Sequence, residues 1–137
     1  MKIIFFFSTV CIATCCQAAT LSDDSKSQLK DNKEACIVES GVDAAVVDAI
    51  TSGGPIPRET KLDCFSSCFL KKTGFQRADG AIDPDVVIEK AKTTNADISK
   101  VYAVIAKCKD FVGKDACETG GNVLSCFIQE KTFPVLD

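Results

Sequence analysis

Two stretches decide the fold: Cys64-Phe65-Ser66-Ser67-Cys68, and Cys108-Lys109-Asp110-Phe111-Val112-Gly113-Lys114-Asp115-Ala116-Cys117-Glu118-Thr119-Gly120-Gly121-Asn122-Val123-Leu124-Ser125-Cys126. They hold five of the chain's nine cysteines, with 3, 8 and 8 residues between neighbours within the stretches. On a helix Cys64 and Cys68 stand one turn apart on one face, with Cβ atoms roughly 5 to 6 Å apart against the roughly 4 Å a disulfide spans. They need different partners. Along a continuous helix at about 1.5 Å per residue, Cys117 and Cys126 would be about 13 Å apart, so they too must bond elsewhere. The crosslinks therefore tie separate helices together. Cys36 completes an even set, and an even set in an oxidising compartment reads as three disulfides, for which helix geometry alone leaves several pairings open.

The other three cysteines, Cys11, Cys15 and Cys16, fall in a different kind of segment. Residues 1–18 begin with Lys2, run apolar from Ile3 to Ile12 and end in Cys16-Gln17-Ala18-Ala19, the small residues a signal peptidase favours. A membrane span needs about 20 apolar residues, and Ser8, Thr9, Thr14 and Gln17 interrupt this one. The segment reads as a secretory leader cut after Ala18, leaving residues 19–137 as one secreted, extracellular domain with no membrane insertion.

That domain reads as all-α. Six amphipathic segments follow one another with helix punctuation and almost no period-two alternation. The first runs from about Ser22 to Glu39 and is closed by Gly41; the second spans about Asp43 to Ser52; Gly53-Gly54-Pro55-Ile56-Pro57 breaks the chain. The third, about Arg58 to Thr73, carries Lys71 and Lys72 in its last turn and Gly74 beyond it. Asp83-Pro84-Asp85 opens the fourth, which ends near Thr93. Thr94 with Asp97 reads as a capping box for a fifth helix to about Val112, whose stripe of Ile98, Val101, Ile105, Cys108 and Val112, widened by Tyr102, Val104 and Phe111, predicts a central, buried helix. Asp115 and Glu118 would cap the sixth, which runs to about Glu130 unless Gly120-Gly121 delays its start to Asn122. Two interior glycines cost about 1 kcal/mol each against Ala, so packing and a covalent tether must hold that turn.

The composition excludes whole classes of function. There is no histidine, which removes Ser-His-Asp and Cys-His nucleophiles, His-ligated zinc and imidazole proton shuttles. A phospholipase would need a His-Asp pair beside a calcium loop. Asp23-Asp24 and Asp83-Pro84-Asp85 lack calcium-loop spacing, and no C-x2-C pair suits zinc. An enzyme is not expected, nor any metal or cofactor. The net charge of −3, with both signs scattered along the chain, gives nucleic acid no footprint.

The spacing C-x27-C-x3-C-x39-C-x8-C-x8-C, with Gly74, Gly80-Ala81-Ile82 and the Asp83-Pro84 helix start, resembles the classical six-cysteine insect odorant-binding proteins. The likeness spans the whole domain. It implies a six-helix bundle around an apolar cavity, with Cys36 paired to Cys68, Cys64 to Cys117 and Cys108 to Cys126. It also implies a carrier of odorants or pheromones, with a small apolar volatile or lipid-like ligand and a chemosensory receptor as partners, acting as a monomer or weak homodimer. The same frame would serve a non-olfactory carrier of a lipid or hormone. A disulfide-rich interaction protein would instead present an apolar patch outside and no cavity inside.

A hollow interior gives three crosslinks a physical purpose. An empty apolar cavity of about 300 Å³ costs on the order of 7 kcal/mol, which three disulfides at about 2 to 4 kcal/mol each offset. The expected wall is the set of inward apolar residues: Phe65, Phe69 and Leu70 on the third helix, Phe75 after its cap, and Ile82 and Val86 at the start of the fourth. Val101, Tyr102, Val104 and Ile105 come from the fifth, and Val123, Leu124 and Phe127 from the sixth. The resemblance singles out Leu70, Phe75, Ile82 and Phe127 as cavity-lining positions. Tyr102, the one tyrosine, is the expected polar handle. The tail Phe133-Pro134-Val135-Leu136 is expected to fold over the mouth as a lid, bringing Phe133 and Leu136 to the ligand.

Overall fold

The computed structural model describes residues 13–94 and 96–130, with side chains from Lys26 onward. The apolar start of the leader and the tail, with Phe133 and Leu136, lie outside the described residues.

Six helices follow in order: α1 Ala13–Ser40, α2 Ala44–Thr51, α3 Thr60–Thr73, α4 Pro84–Lys92, α5 Ile98–Cys108 and α6 Ala116–Glu130. Among the described residues the one β feature is an isolated bridge between Gln76 and Ile82. α1 starts well before Ser22, because no Gly or Pro interrupts residues 13–39. Short acids start three helices by accepting orphan backbone N–H groups: Asp43 from Ala45, Asp83 from Val86 and Asp97 from Ser99. α3 ends on Gly74 at φ 85°, the left-handed cap that glycine adopts without strain.

The fifth helix differs from its expected extent at both ends. Asp97, not Thr94, is its cap, since the Thr94 hydroxyl is used in closing off α4 through Ala91 O at 2.7 Å. The helix stops at Cys108, so Phe111 and Val112 leave the stripe and stand 47% and 72% exposed. Periodicity favours continuing, but the chain must turn here to bring Cys117 back to Cys64. α5 is consequently half-exposed rather than central.

The centre belongs to α3 and α6, which pack on each other more extensively than any other pair, with α1 against α3 and α4 against α5. Their closeness explains Gly120 and Gly121. A Cβ on residue 120 would meet Ser67 backbone atoms at 2.6 Å, and one on residue 121 would run into the Asp63 carboxylate. α6 therefore starts at Ala116 and carries both glycines as the contact surface. Asp115 Oδ1 accepts from Glu118 N at 2.8 Å, the cap expected, while Glu118 Oε2 reaches back to accept from Lys114 N at 3.1 Å, one residue before the N–H a reciprocal capping box uses.

Three disulfides clamp the helices: Cys36–Cys68 joins α1 to α3, Cys64–Cys117 joins α3 to α6 with Cα atoms 4.3 Å apart, and Cys108–Cys126 joins α5 to α6. This is the pairing the family resemblance implies. α2 and α4 carry no cysteine.

Candidate functional site

The site grows from the apolar faces that these clamps hold together. Phe65, Phe69, Leu70, Phe75, Ile82, Val101, Ile105 and Phe127 all fall in one buried cluster, with Val104, Val123 and Leu124 beside them and Val86 packed at its edge. The Phe65 and Phe69 rings, one turn apart on α3, stack with centroids 6.1 Å apart and planes 21° apart. Tyr102 is placed differently. It is 53% exposed on the outer side of α5, so its phenol does not enter the cluster.

Among the described residues, the buried polar side chains are Ser66, Ser67, Thr73, Gln76 and Thr119, all neutral. Each is engaged by the protein itself. Ser66 donates to Leu62 O at 2.8 Å, and Thr73 donates to Leu70 O at 3.0 Å. Thr119 Oγ1 accepts from Gly113 N at 2.8 Å. Gln76 is 2% exposed and holds three partners: its Oε1 accepts from Ser67 Oγ at 2.7 Å, and its Nε2 donates to Gly80 O at 2.8 Å and to Ala116 O at 3.1 Å. Sequence reasoning missed this residue. The sole sequence signal was a long amide placed directly after the helix cap and an inward Phe75. With these polar groups so occupied, the interior formed by the described residues offers a guest apolar and aromatic contact and, among those residues, no buried charge.

Among the described residues, a small void and a larger groove adjoin the cluster. A void of about 10 Å³ between α2, α3 and α6 is lined by Val47, Ile50, Leu62, Phe65, Leu124 and Ile128 with the hydroxyl residues Ser66 and Ser125, room for about one water. A far larger open groove, about 540 Å³, runs between the 79–84 segment and the 109–119 segment. Ile82 belongs to both the groove and the buried cluster. Lys109 and Asp110, in the groove wall, pair with each other at 3.0 Å.

Charge sits at the edges. At the α3–α6 crossing, burial pushes the Asp63 carboxyl above its usual value, opposed by Arg58 at 3.5 Å and reinforced by Glu118 and Asp115. Asp83 is held below the usual carboxylate range by the Val86 N–H and by Arg77, and Asp97 by the Ser99 hydroxyl and the Lys100 N–H. Among the described residues, no cluster of His, Cys, Asp or Glu is arranged to hold a metal ion, and no helix is long and apolar enough to cross a membrane.

The family profile described as PBP/GOBP matches residues 18–130. General odorant-binding protein 56a of Drosophila melanogaster is 30% identical over 117 residues, covering 83% of this chain and 81% of that protein. Among solved structures, the fatty acid binding protein OBP56a from the oral disk of the blowfly Phormia regina aligns with a TM-score of 0.64 at 28% identity, over 79% of this chain and 92% of that one. Odorant binding protein 5 of Apis mellifera shares the fold, with a TM-score of 0.67 at 21% identity over 81% of this chain and 94% of its own.

Proposed function

The chain belongs to the PBP/GOBP family, and from that premise we propose that it is a secreted carrier that takes small hydrophobic molecules out of water into the interior of its helical bundle. The observation that carries the reading is the buried apolar cluster to which all six helices and the α3–α4 segment contribute, with the disulfide residues Cys36, Cys108 and Cys126 among its members. Transfer of apolar ligand surface from water supplies the driving force, at about 25 cal/mol per Å². No covalent step is needed.

The blowfly relative's description as a fatty acid binding protein supports elongated aliphatic ligands, a lipid-carrying role alongside the odorant one. Phe65, Phe69, Leu70, Phe75, Ile82, Val101, Ile105 and Phe127 are the proposed wall. Phe133 and Leu136 are proposed to reach it from the tail. The leader reading of residues 1–18 is supported by a family match that begins at residue 18.

Displacement of a fluorescent apolar probe by straight-chain fatty acids and volatile esters tests the carrier directly, on oxidised and reduced protein. Saturable displacement from the oxidised form is expected. An oxidised, folded protein that takes up neither probe nor competitor would refute it.

A further inference from the structure

The connection between α5 and α6, Lys109-Asp110-Phe111-Val112-Gly113-Lys114-Asp115, is firmly anchored and left uncovered. Cys108 precedes it and Cys117 follows shortly after, each in a disulfide, so both ends are covalently fixed. Its backbone donors are spent within the chain: the N–H groups of Phe111, Val112, Gly113 and Lys114 donate to Cys108 O, Asp110 O, Thr119 Oγ1 and Glu118 Oε2. None of these four is left for strand pairing with another chain. A partner must therefore meet side chains, and two of them are apolar. Among the described residues, Phe111 and Val112 are two of four exposed large hydrophobics, and they are adjacent in sequence.

The order of residues reads as its own complement. Positions equidistant from Val112 are Phe111 and Gly113, Asp110 and Lys114, and Lys109 and Asp115. A second copy laid antiparallel across a two-fold axis at Val112 therefore sets Lys109 against Asp115 and Asp110 against Lys114, each twice, and each Phe111 against a Gly113. The parallel arrangement sets Lys109 on Lys109 and Asp110 on Asp110, which like charge disfavours. All four charged residues are exposed, so the Lys109–Asp110 pair of the free chain exchanges for these at little cost. Gly113 has no room for a side chain in its own fold, because a Cβ there would stand 2.5 Å from the Glu118 Cβ. The ring of the second copy meets bare backbone at that point. Beside it runs the 540 Å³ groove, whose wall includes Val112 and Gly113 but not Phe111, and which offers Ala81, Ile82 and Pro84 across from them. Knob and hollow lie on one patch, as a closed pair of identical chains requires.

We propose that this face joins two copies of the chain in an antiparallel homodimer, with Phe111 of each seated at Gly113 and the groove of the other and the Lys–Asp pairs setting the register. The patch is small and exposed ion pairs add little, so the dimer is weak, with a dissociation constant on the order of 100 μM. The pairing goes beyond the carrier reading and does not rest on it, since no guest in the interior is needed.

Sedimentation velocity of the full oxidised protein from about 10 μM to about 1 mM reads the dimer directly, because its population follows concentration. Each contact occurs twice, so one substitution acts twice. Asp110→Lys and Lys114→Asp, each alone, are expected to weaken the dimer by about tenfold. The double variant Asp110→Lys/Lys114→Asp restores opposite charges across the axis and is expected to return to within about threefold of the parent. A general effect of net charge would instead move the two single variants in opposite directions. Phe111→Ser is expected to leave the protein monomeric over this range, and Val112→Asp, which sets two carboxylates on the axis, does the same by a second route. Cysteine linkage is an independent arm: Val112→Cys is expected to form a disulfide between copies in a glutathione buffer, and Val38→Cys, 83% exposed in the parent on α1, is not. A parent that stays monomeric to about 1 mM overturns the proposal, whatever else fills the groove. Parental dimerisation in Phe111→Ser, a double variant no better than the single ones, or linkage through position 38 as readily as through position 112 overturns it as well.

Discussion

Gly120 of α6 faces Ser67 of α3 so closely that a Cβ on residue 120 would stand 2.6 Å from both the Ser67 nitrogen and its Cα. Backbone, not a flexible side chain, fills that space. Helix propensity alone makes Gly120→Ala stabilising by about 1 kcal/mol; the contact reverses the sign, because overpacking a tight seam costs about 1 to 3 kcal/mol. Chemical denaturation of the oxidised protein should show a net loss for Gly120→Ala. A net gain would show that α3 and α6 are not in the contact described.

At the same crossing, Asp63 binds its proton more tightly folded than unfolded, because burial raises its folded value above the ordinary 3.8. An acid raised on folding weakens the fold once it is ionised. Its penalty is present at neutral pH and is relieved as pH falls through the raised folded value toward the unfolded one. Asp83 and Asp97, both lowered, act oppositely and lose their contributions as pH falls through their depressed folded values. Asp63→Asn should match or exceed the parent in melting temperature at pH 7, with the difference shrinking on acidification toward pH 4. A variant clearly less stable at pH 7 and equal at pH 4 would reverse this assignment.

The crosslinks close stretches of different length, with sequence separations of 53 for Cys64–Cys117, 32 for Cys36–Cys68 and 18 for Cys108–Cys126. In the chain-entropy account their removal costs about 4 kcal/mol for the longest and about 3 kcal/mol for the shortest. Paired Cys→Ser variants should rank in that order in denaturant midpoint, and Cys64→Ser/Cys117→Ser should also weaken ligand retention, since that bridge holds the glycine seam closed.

Tyr102 and Phe69 share an aromatic character and differ in place. Phe69 is fully buried, whereas Tyr102 is half in solvent. Tyr102→Ala should leave ligand affinity within about twofold and stability within ±0.5 kcal/mol. Phe69→Ala should cost about 3 to 5 kcal/mol of stability. Phe69→Leu, a milder change, should alter which chain lengths compete best in the displacement assay.

Much of this arrangement was legible in the chain. The Gly74 end of α3, the Asp83-Pro84 start of α4 and the Asp115/Glu118 start of α6 are local devices, written in adjacent residues and recovered where they were read. The cysteine spacing carried the long-range frame through family likeness. Apolar periodicity was weaker evidence on α5, because it marks a greasy stripe without saying where the chain must turn; Tyr102, Phe111 and Val112 extended the stripe in sequence and stand outside it in space. The Gln76 network was out of reach for a related reason. Its partners at 67, 80 and 116 meet only once α3, the turn and α6 are assembled.

The central claim is that an apolar guest lies inside the bundle. A crystal structure with a terminally brominated C12 alkanoic acid tests it most directly, because the anomalous signal of bromine locates the chain end independently of how the density is interpreted. The bromine is expected within about 4.5 Å of side chains of the buried cluster, among Phe65, Phe69, Leu70 and Phe127. Bromine found only on the outer surface or confined to the open groove, with the cluster closed as described, would contradict the account.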